Sequence, residues 1–226
     1  MLQRIIRAIL FSIPLAAFIG LACQSEEQSL LRFYYATNTD YQSYLEDVQS
    51  FGQATIPISH SPWNLKDPQQ IARVLRMRLD PALWSNDQVR RLAEHVVRLS
   101  HRYHFPPALI LSMIEVESRF VPTAVSGHGA VGLMQVMPST GERLAAELSM
   151  PWDAKKSLRD PLTNIELGLQ YMVQLRARFK QPRRYLTAYN IGPSALLRKL
   201  KSGEPYSERY YNKVMRSYHE YATRAL

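Results

Sequence analysis

Apolar positions in this chain recur mostly at helical spacing, and no convincing run alternates at the period of a strand. Tyr41, Tyr44, Leu45 and Val48 fall at i, i+3, i+4 and i+7, which predicts a short helix from Asp40 to Phe51. The next residues, to Lys66, carry Pro57 and Pro62 without a period and read as a connector. Asp67 and Pro68 form a cap and first-turn pair. They open a helix with Ile71, Val74, Leu75 and Leu79 on one side and Arg73, Arg76 and Arg78 elsewhere. Ser85 to Gln88 has capping-box spacing and starts a helix to about Tyr103, striped by Val89, Leu92, Ala93, Val96 and Val97. Pro106 and Pro107 suit the first turn of the next, which runs to Ser118.

Further along, Ser139 or Thr140 caps a short helix to about Leu148, and Asp160-Pro161 begins a longer one. There Ile165, Leu169, Met172, Val173 and Leu175 supply core, and Gly168 permits close helix packing. Pro182 restarts a helix carrying Tyr185, Leu186, Tyr189 and Asn190. Gly192-Pro193-Ser194 breaks it, and a further short helix reaches Lys201. Tyr206 to Tyr221 closes the chain with an aromatic stripe read as packing, Tyr210 or Tyr211 being placed to line a cleft edge. The fold class is mainly α.

Two acids lie near the end of the Pro106–Ser118 helix, Glu115 and Glu117. At about 100° per residue they point to nearly opposite sides. Glu117 shares the face of Ile110, Met113 and Ile114; Glu115 goes with Leu111 and Ser112, expected closer to solvent. A carboxyl on an apolar face has its anion disfavoured and its pKa raised toward neutrality. It is then either a satisfied structural group or a working acid that can donate to a leaving oxygen. The loop that follows, Ser126 to Gly132, holds three glycines and lets backbone pass close to something. No Lys-Ser or Lys-Thr pair follows it, which leaves a phosphate loop unsupported. Leu133 to Pro138 then joins flexible apolar side chains to one amide, Gln135, although Met134 and Met137 taken alone read as core filler.

The string Glu117-Ser118-x-Phe120, Ala124-Val125-Ser126-x-x-Gly129-Ala130-x-Gly132-Leu133-Met134-Gln135-x-Met137-Pro138-x-Thr140 resembles the soluble lytic transglycosylase domain. Asp160-Pro161-x-x-Asn164-Ile165-x-x-Gly168-x-x-Tyr171 and Ala188-Tyr189-Asn190 are similar to that family's later motifs, in order. Gly127 departs from the pattern, standing where the family usually has proline. The resemblance implies a lysozyme-like helical domain with a Gly-rich active-site loop, acting on peptidoglycan glycan strands without a cofactor. It implies that Glu117 protonates the glycosidic oxygen between MurNAc and GlcNAc and then accepts the proton of the muramic acid C6 hydroxyl. The product would be a 1,6-anhydro end. It also implies that Ser126 and Gln135 bond sugar and acetamido groups and that Met137 packs on a ring. Tyr189 would hold its hydroxyl near Glu117, with Asn190 lining the cleft. Ser118 and Asn190 read equally well as cap or loop residues; an ordinary core aromatic is the lesser reading of Tyr189, and Gly132 reads as a site of backbone approach and not of direct contact. Ordinary glycosidases use two carboxylates, and Glu115, Glu142 and Asp153 have no motif context. A goose-type lysozyme and an inactive wall-binding lipoprotein are the rival readings.

Composition narrows the setting. A length of 226 residues allows one domain with an extension, and 46% hydrophobic residues fits a globular core. The net charge of +9 suits an anionic partner or an ordinary basic surface. No zinc-finger spacing or recognition-helix signature accompanies it, so nucleic acid is set aside and a monomer at the cell wall preferred. His101 and His104 have helical metal-pair spacing but no third ligand nearby, and no metal site is assigned. The start of the chain has a basic head at Arg4 and Arg7, an apolar run from Ala8 to Ala22 interrupted by Pro14, and the lone cysteine, Cys23. That is the layout of a secretion signal. Ile19-Gly20-Leu21-Ala22-Cys23 resembles a loose bacterial lipobox, which implies a lipid anchor on Cys23 in a bilayer. Simple cleavage with a free thiol and an uncleaved anchor are the alternatives. Gln24 rather than Asp resembles the address of a periplasm-facing outer-membrane lipoprotein. The expected organisation is a signal peptide over residues 1–22, a tether over 23–66 and a catalytic domain over 67–226, its motifs within 100–226.

Overall fold

The computed structural model describes residues 67–153 and 156–224. The expected signal peptide, Cys23, the tether and the helix expected over residues 40–51 lie outside the described residues. Eight helices follow in order among the described residues: α1 (Pro68–Arg76), α2 (Asn86–Tyr103), α3 (Pro107–Ser118), α4 (Pro138–Glu147), α5 (Pro161–Phe179), α6 (Pro182–Ile191), α7 (Pro193–Ser202) and α8 (Arg209–Arg224). They contain no strand, only isolated bridges pairing Val125 with Val131 and Val131 with Val136. The mainly helical expectation holds.

Local chemistry sets the helix boundaries. Asp67 accepts from the Gln69 amide at 2.9 Å to start α1, and Asp160 accepts from the Thr163 amide at 2.8 Å to start α5. Ser85 and Gln88 bond each other's backbone reciprocally at the start of α2, the capping box read from their spacing. Helix α4 differs from expectation. Pro138 occupies its first turn and Met137 its cap position, with no side-chain cap bond. A proline that lacks an amide hydrogen suits that place without a hydroxyl cap. The last helix begins at Arg209, later than the expected Tyr206.

Helix α3 sits at the centre. Its residues from Pro107 to Ile114 are all buried, and Ile110, Leu111, Met113 and Ile114 are fully enclosed. Each such side chain contributes about 2 kcal/mol of hydrophobic stabilisation. Leu111 and Ser112 are both at 0% exposure, so the face expected to lie nearer solvent is as enclosed as the other. A helix apolar all round belongs inside a domain. Helices α2 and α8 pack on α3, α5 packs on α2, and α6 lies against both α5 and α8. Arg176 of α5 donates to the carbonyls of Tyr103 and His104 at 2.9 Å, satisfying orphan carbonyls at the end of α2. Its guanidinium lies 4.2 Å over the Phe105 ring. That contact fixes where α3 starts, and the end of α3 carries the acids.

Candidate active site

Glu117 occupies the last turn of α3, and the backbone beyond it is strained. Arg119 and Phe120 both adopt positive φ, at 52° and 60°. Neither residue visits that region at low cost. The arrangement is held by burial of the Phe120 ring and by the Trp84 indole, which donates to the Phe120 carbonyl at 2.9 Å. Backbone strain held by surrounding packing is a recurrent feature of functional sites.

The Glu117 carboxyl accepts from the Tyr210 hydroxyl at 2.5 Å. Burial pushes its pKa up to about 7, and the Tyr210 hydrogen bond pulls in the opposite direction. Near neutrality such a group holds a proton about half the time, so it can give one up and take one back. Tyr210 is itself raised well above 10, first by burial and then by the Glu117 charge, and stays a neutral donor. Tyr189 lies 6.5 Å from Tyr210, ring to ring, with planes nearly parallel. Its hydroxyl donates to the Met134 carbonyl at 2.7 Å and not to the acid, though Glu117 is close enough to help raise its pKa. The residue that touches Glu117 is thus Tyr210, which sequence reasoning placed only at a cleft edge.

The Gly-rich loop is pinned from below by Asn164 of α5, which is fully buried. Its side chain accepts from the Met134 amide at 2.7 Å and donates to the Val131 and Leu158 carbonyls at 2.9 Å. Gly132 has φ +82°, and a Cβ there would stand 2.2 Å from the Leu158 carbonyl oxygen. The reading of Gly132 as a place of close backbone approach agrees with this. Gly168 likewise gives room to the Met134 side chain, 2.6 Å from where its Cβ would be. Sequence reasoning gave Asn164 no role, although an amide in the apolar stripe of a capped core helix was the available signal.

The remaining candidates line the loop in different ways. The Ser126 hydroxyl accepts from the amides of Ala130 and His128 at 3.0 and 3.3 Å, closing the turn and leaving its own proton to donate. Gln135, at φ +48°, donates through Nε2 to the carbonyls of Gly132 and Ala124 at 3.0 and 3.2 Å. Its Oε1 remains available as an acceptor. Met137 is 41% exposed although apolar. Asn190 is exposed beside Tyr189. Glu117, Tyr210, Tyr189 and the Met134–Gln135 backbone therefore form one connected group, with Ser126 tied in through the loop. Ser118 donates to the Ile114 carbonyl at 3.0 Å and serves its own helix.

Glu115 belongs to a separate arrangement. Its carboxylate takes Arg78 at 2.5 Å on one oxygen and the Ser217 hydroxyl at 2.5 Å on the other. Among the described residues no group of His, Cys, Asp or Glu side chains could hold a metal ion. No helix among them is long and apolar enough to cross a membrane.

Comparison with known proteins follows the same residues. The model of the transglycosylase SLT domain family matches residues 96–212, half of the chain. Membrane-bound lytic murein transglycosylase C of Mannheimia succiniciproducens is 33% identical over 141 residues, covering 57% of this chain and 39% of that protein. The protein of the same name from Actinobacillus pleuropneumoniae is 36% identical over 121 residues, covering 49% and 33%. The chain thus matches little more than a third of the length of these relatives. The 70 kDa soluble lytic transglycosylase of Escherichia coli superposes with a TM-score of 0.52 at 24% identity, over 71% of this chain and 30% of that one. A complex of the 70 kDa soluble lytic transglycosylase with bulgecin A gives 0.54 at 23% identity, over 69% and 30%. These structures share their helical fold with the described domain. The motifs, the fold and the family match agree, and the chain belongs to the transglycosylase SLT domain family.

Proposed function

We propose that this chain is a peptidoglycan lytic transglycosylase that uses Glu117 as its one catalytic acid and base. The observation that carries the reading is the state of Glu117: partly buried, raised to about 7, and bonded to a neutral phenol. In the first step the Glu117 proton passes to the glycosidic oxygen as the bond from MurNAc C1 to the GlcNAc C4 oxygen breaks, and GlcNAc leaves as an alcohol. The muramic acid C6 hydroxyl then attacks C1 and returns its proton to Glu117, closing a 1,6-anhydro ring without consuming water. A hydrolytic glycosidase needs a second carboxylate to activate water or attack the sugar. The neighbouring acid, Glu115, has both oxygens engaged by Arg78 and Ser217.

Ser126 and the free Oε1 of Gln135 supply a donor and an acceptor for sugar hydroxyl and acetamido groups. The exposed Met137 offers an apolar face to a ring, and Asn190 a polar edge. Tyr189 acts at one remove, holding the Met134 carbonyl and stacking beside Tyr210. In this proposal residues 67–226 are the catalytic domain, residues 23–66 a tether, and Cys23 the lipidated residue after removal of 1–22. The anchor would place the enzyme on the periplasmic side of the outer membrane, working as a monomer.

Mass spectrometry of sacculi digested with the protein tests the reaction. Anhydro-muropeptides are expected. Reducing ends would mean a lysozyme, and no products an inactive wall binder. Cys23→Ala should abolish metabolic labelling by palmitate, and persistent labelling would refute the anchor.

A further inference from the structure

Helix α8 is held to α3 at two points, and both acids of α3 take part. Glu117 receives Tyr210 near the start of α8, and Glu115 receives Ser217 seven residues further on. Those two positions lie about two turns apart on one side of α8. The second point is reinforced from outside α3. Arg78, just beyond α1, donates to Glu115 at 2.5 Å and to Glu220 of α8 at 3.1 Å. Its guanidinium also lies 4.4 Å over the Tyr221 ring, and its side chain is only 16% exposed. Arg78, Ser217, Glu220 and Tyr221 all fall outside residues 96–212, the span matched by the family model. Glu115 alone of this group falls within it.

We infer that Arg78 is a positioning residue: by clamping Glu115 to the far part of α8 it sets the seat of Tyr210 against Glu117. The inference rests on Glu117 being the working acid. A helix gripped at two points two turns apart cannot tilt without moving both, so releasing the Arg78 end lengthens the Tyr210 contact. Contacts between packed elements carry such shifts because close-packed interiors are barely compressible and transmit strain. The groups facing the clamp are Arg119 of the segment after α3, and Lys213, Arg216 and Glu220 of α8, around a cavity of about 540 Å³. The groups facing Glu117 are Tyr210 from α8 and Tyr189 from α6. Losing the Tyr210 bond removes a donor to the carboxylate, so the proton on Glu117 is held more tightly.

The test compares Arg78→Met, Arg78→Lys and the milder Ser217→Ala, alone and combined with Tyr210→Phe, in protein shown by circular dichroism to be folded. Expected are a kcat on sacculi lowered about tenfold in Arg78→Met with KM little changed, and an alkaline limb of the pH profile displaced upward. Partial recovery is expected in Arg78→Lys, and no further change when Arg78→Met is added to Tyr210→Phe. Carbon-13 titration of the Glu117 carboxyl, assigned with Glu117→Gln, should show the same upward displacement. That readout stands even if the wild-type protein releases no anhydro products, which would defeat the functional reading alone. An unmoved Glu117 titration in folded Arg78→Met and Ser217→Ala, or full additivity with Tyr210→Phe, would overturn the inference.

Discussion

The Tyr210 hydroxyl stands 2.5 Å from Oε1 of Glu117, joining residues 93 positions apart in the chain. The bond favours the carboxylate, against a larger effect of burial that favours the neutral acid. Removing the hydroxyl with Tyr210→Phe leaves burial unopposed and should raise the Glu117 pKa above its value of about 7. In the proposed reaction protonated Glu117 is the starting form, so the alkaline limb of kcat/KM should move to higher pH. The returned proton should also be accepted by a less well-ordered carboxylate, and kcat should fall about tenfold. A pH series with Tyr210→Phe on purified sacculi measures both. An alkaline limb that stays in place would show that the phenol does not set the acid.

Glu117→Gln should abolish turnover while preserving the fold, and it should do more than that. The folded-state pKa of about 7 lies above the value of 4.5 for an unperturbed Glu. Between those values the folded chain binds more protons than the unfolded one, so stability declines as pH rises through the window. Above pH 7 the buried charge costs about 2 kcal/mol after allowance for partial exposure. The neutral amide is free of that cost. Melting of Glu117→Gln against wild type should therefore show a gain at pH 8 that disappears near pH 4. Equal gains at both values would mean that the carboxyl is solvated.

The helices were legible because their caps are chemical and local. Asp67-Pro68, Ser85 to Gln88 and Asp160-Pro161 begin the helices that their sequences announce. Glu117 was legible because its apolar neighbours at helical spacing give it a desolvated setting. Three other features depend on the third dimension. Leu111 and Ser112 are buried because α3 is wrapped on every side, which one helix's periodicity cannot report. Tyr210 belongs to an aromatic stripe read as packing, and only the approach of α8 to the end of α3 brings its hydroxyl to Glu117. Arg78 follows the basic flank of α1 just beyond its end, where a solvated side chain is the ordinary outcome, yet its partners come from α3 and α8.

Met137 separates binding from folding. It caps α4 without a side-chain bond and is 41% exposed, so truncation to Ala removes little packing. The expected loss of stability is below about 0.5 kcal/mol. If its thioether packs on a sugar ring, the lost contact should raise KM about fivefold to tenfold with kcat nearly unchanged. Steady-state kinetics on soluble glycan strands, paired with a thermal melt, measures the two quantities. A drop confined to kcat would place Met137 in the chemistry instead of at the binding face.

Gly132 and Asn164 test whether the loop's shape is required for the site. An Ala at 132 must adopt φ +82° with its Cβ 2.3 Å from Asn164 Nδ2, so either the loop lifts or Asn164 withdraws. Asn164→Ala strands the Met134 amide and the Leu158 carbonyl in the interior, while the Val131 carbonyl keeps the Val136 amide. Each unsatisfied buried group costs about 1–3 kcal/mol, so either variant should lose about 3 kcal/mol or more. Because both act on one hydrogen-bonded contact, the double variant should cost clearly less than the sum. Asn164→Asp should fare no better than Ala, since it keeps the acceptor for Met134 but loses both donors and buries a charge. Activity measured well below the melting temperature should fall as well. The loop delivers the Met134 carbonyl to Tyr189, which stacks beside the phenol on Glu117. Urea unfolding of the three single variants and the double, with turnover measured at 15 °C, decides the matter. Additive losses with normal turnover would mean that the loop folds independently of the acid it faces.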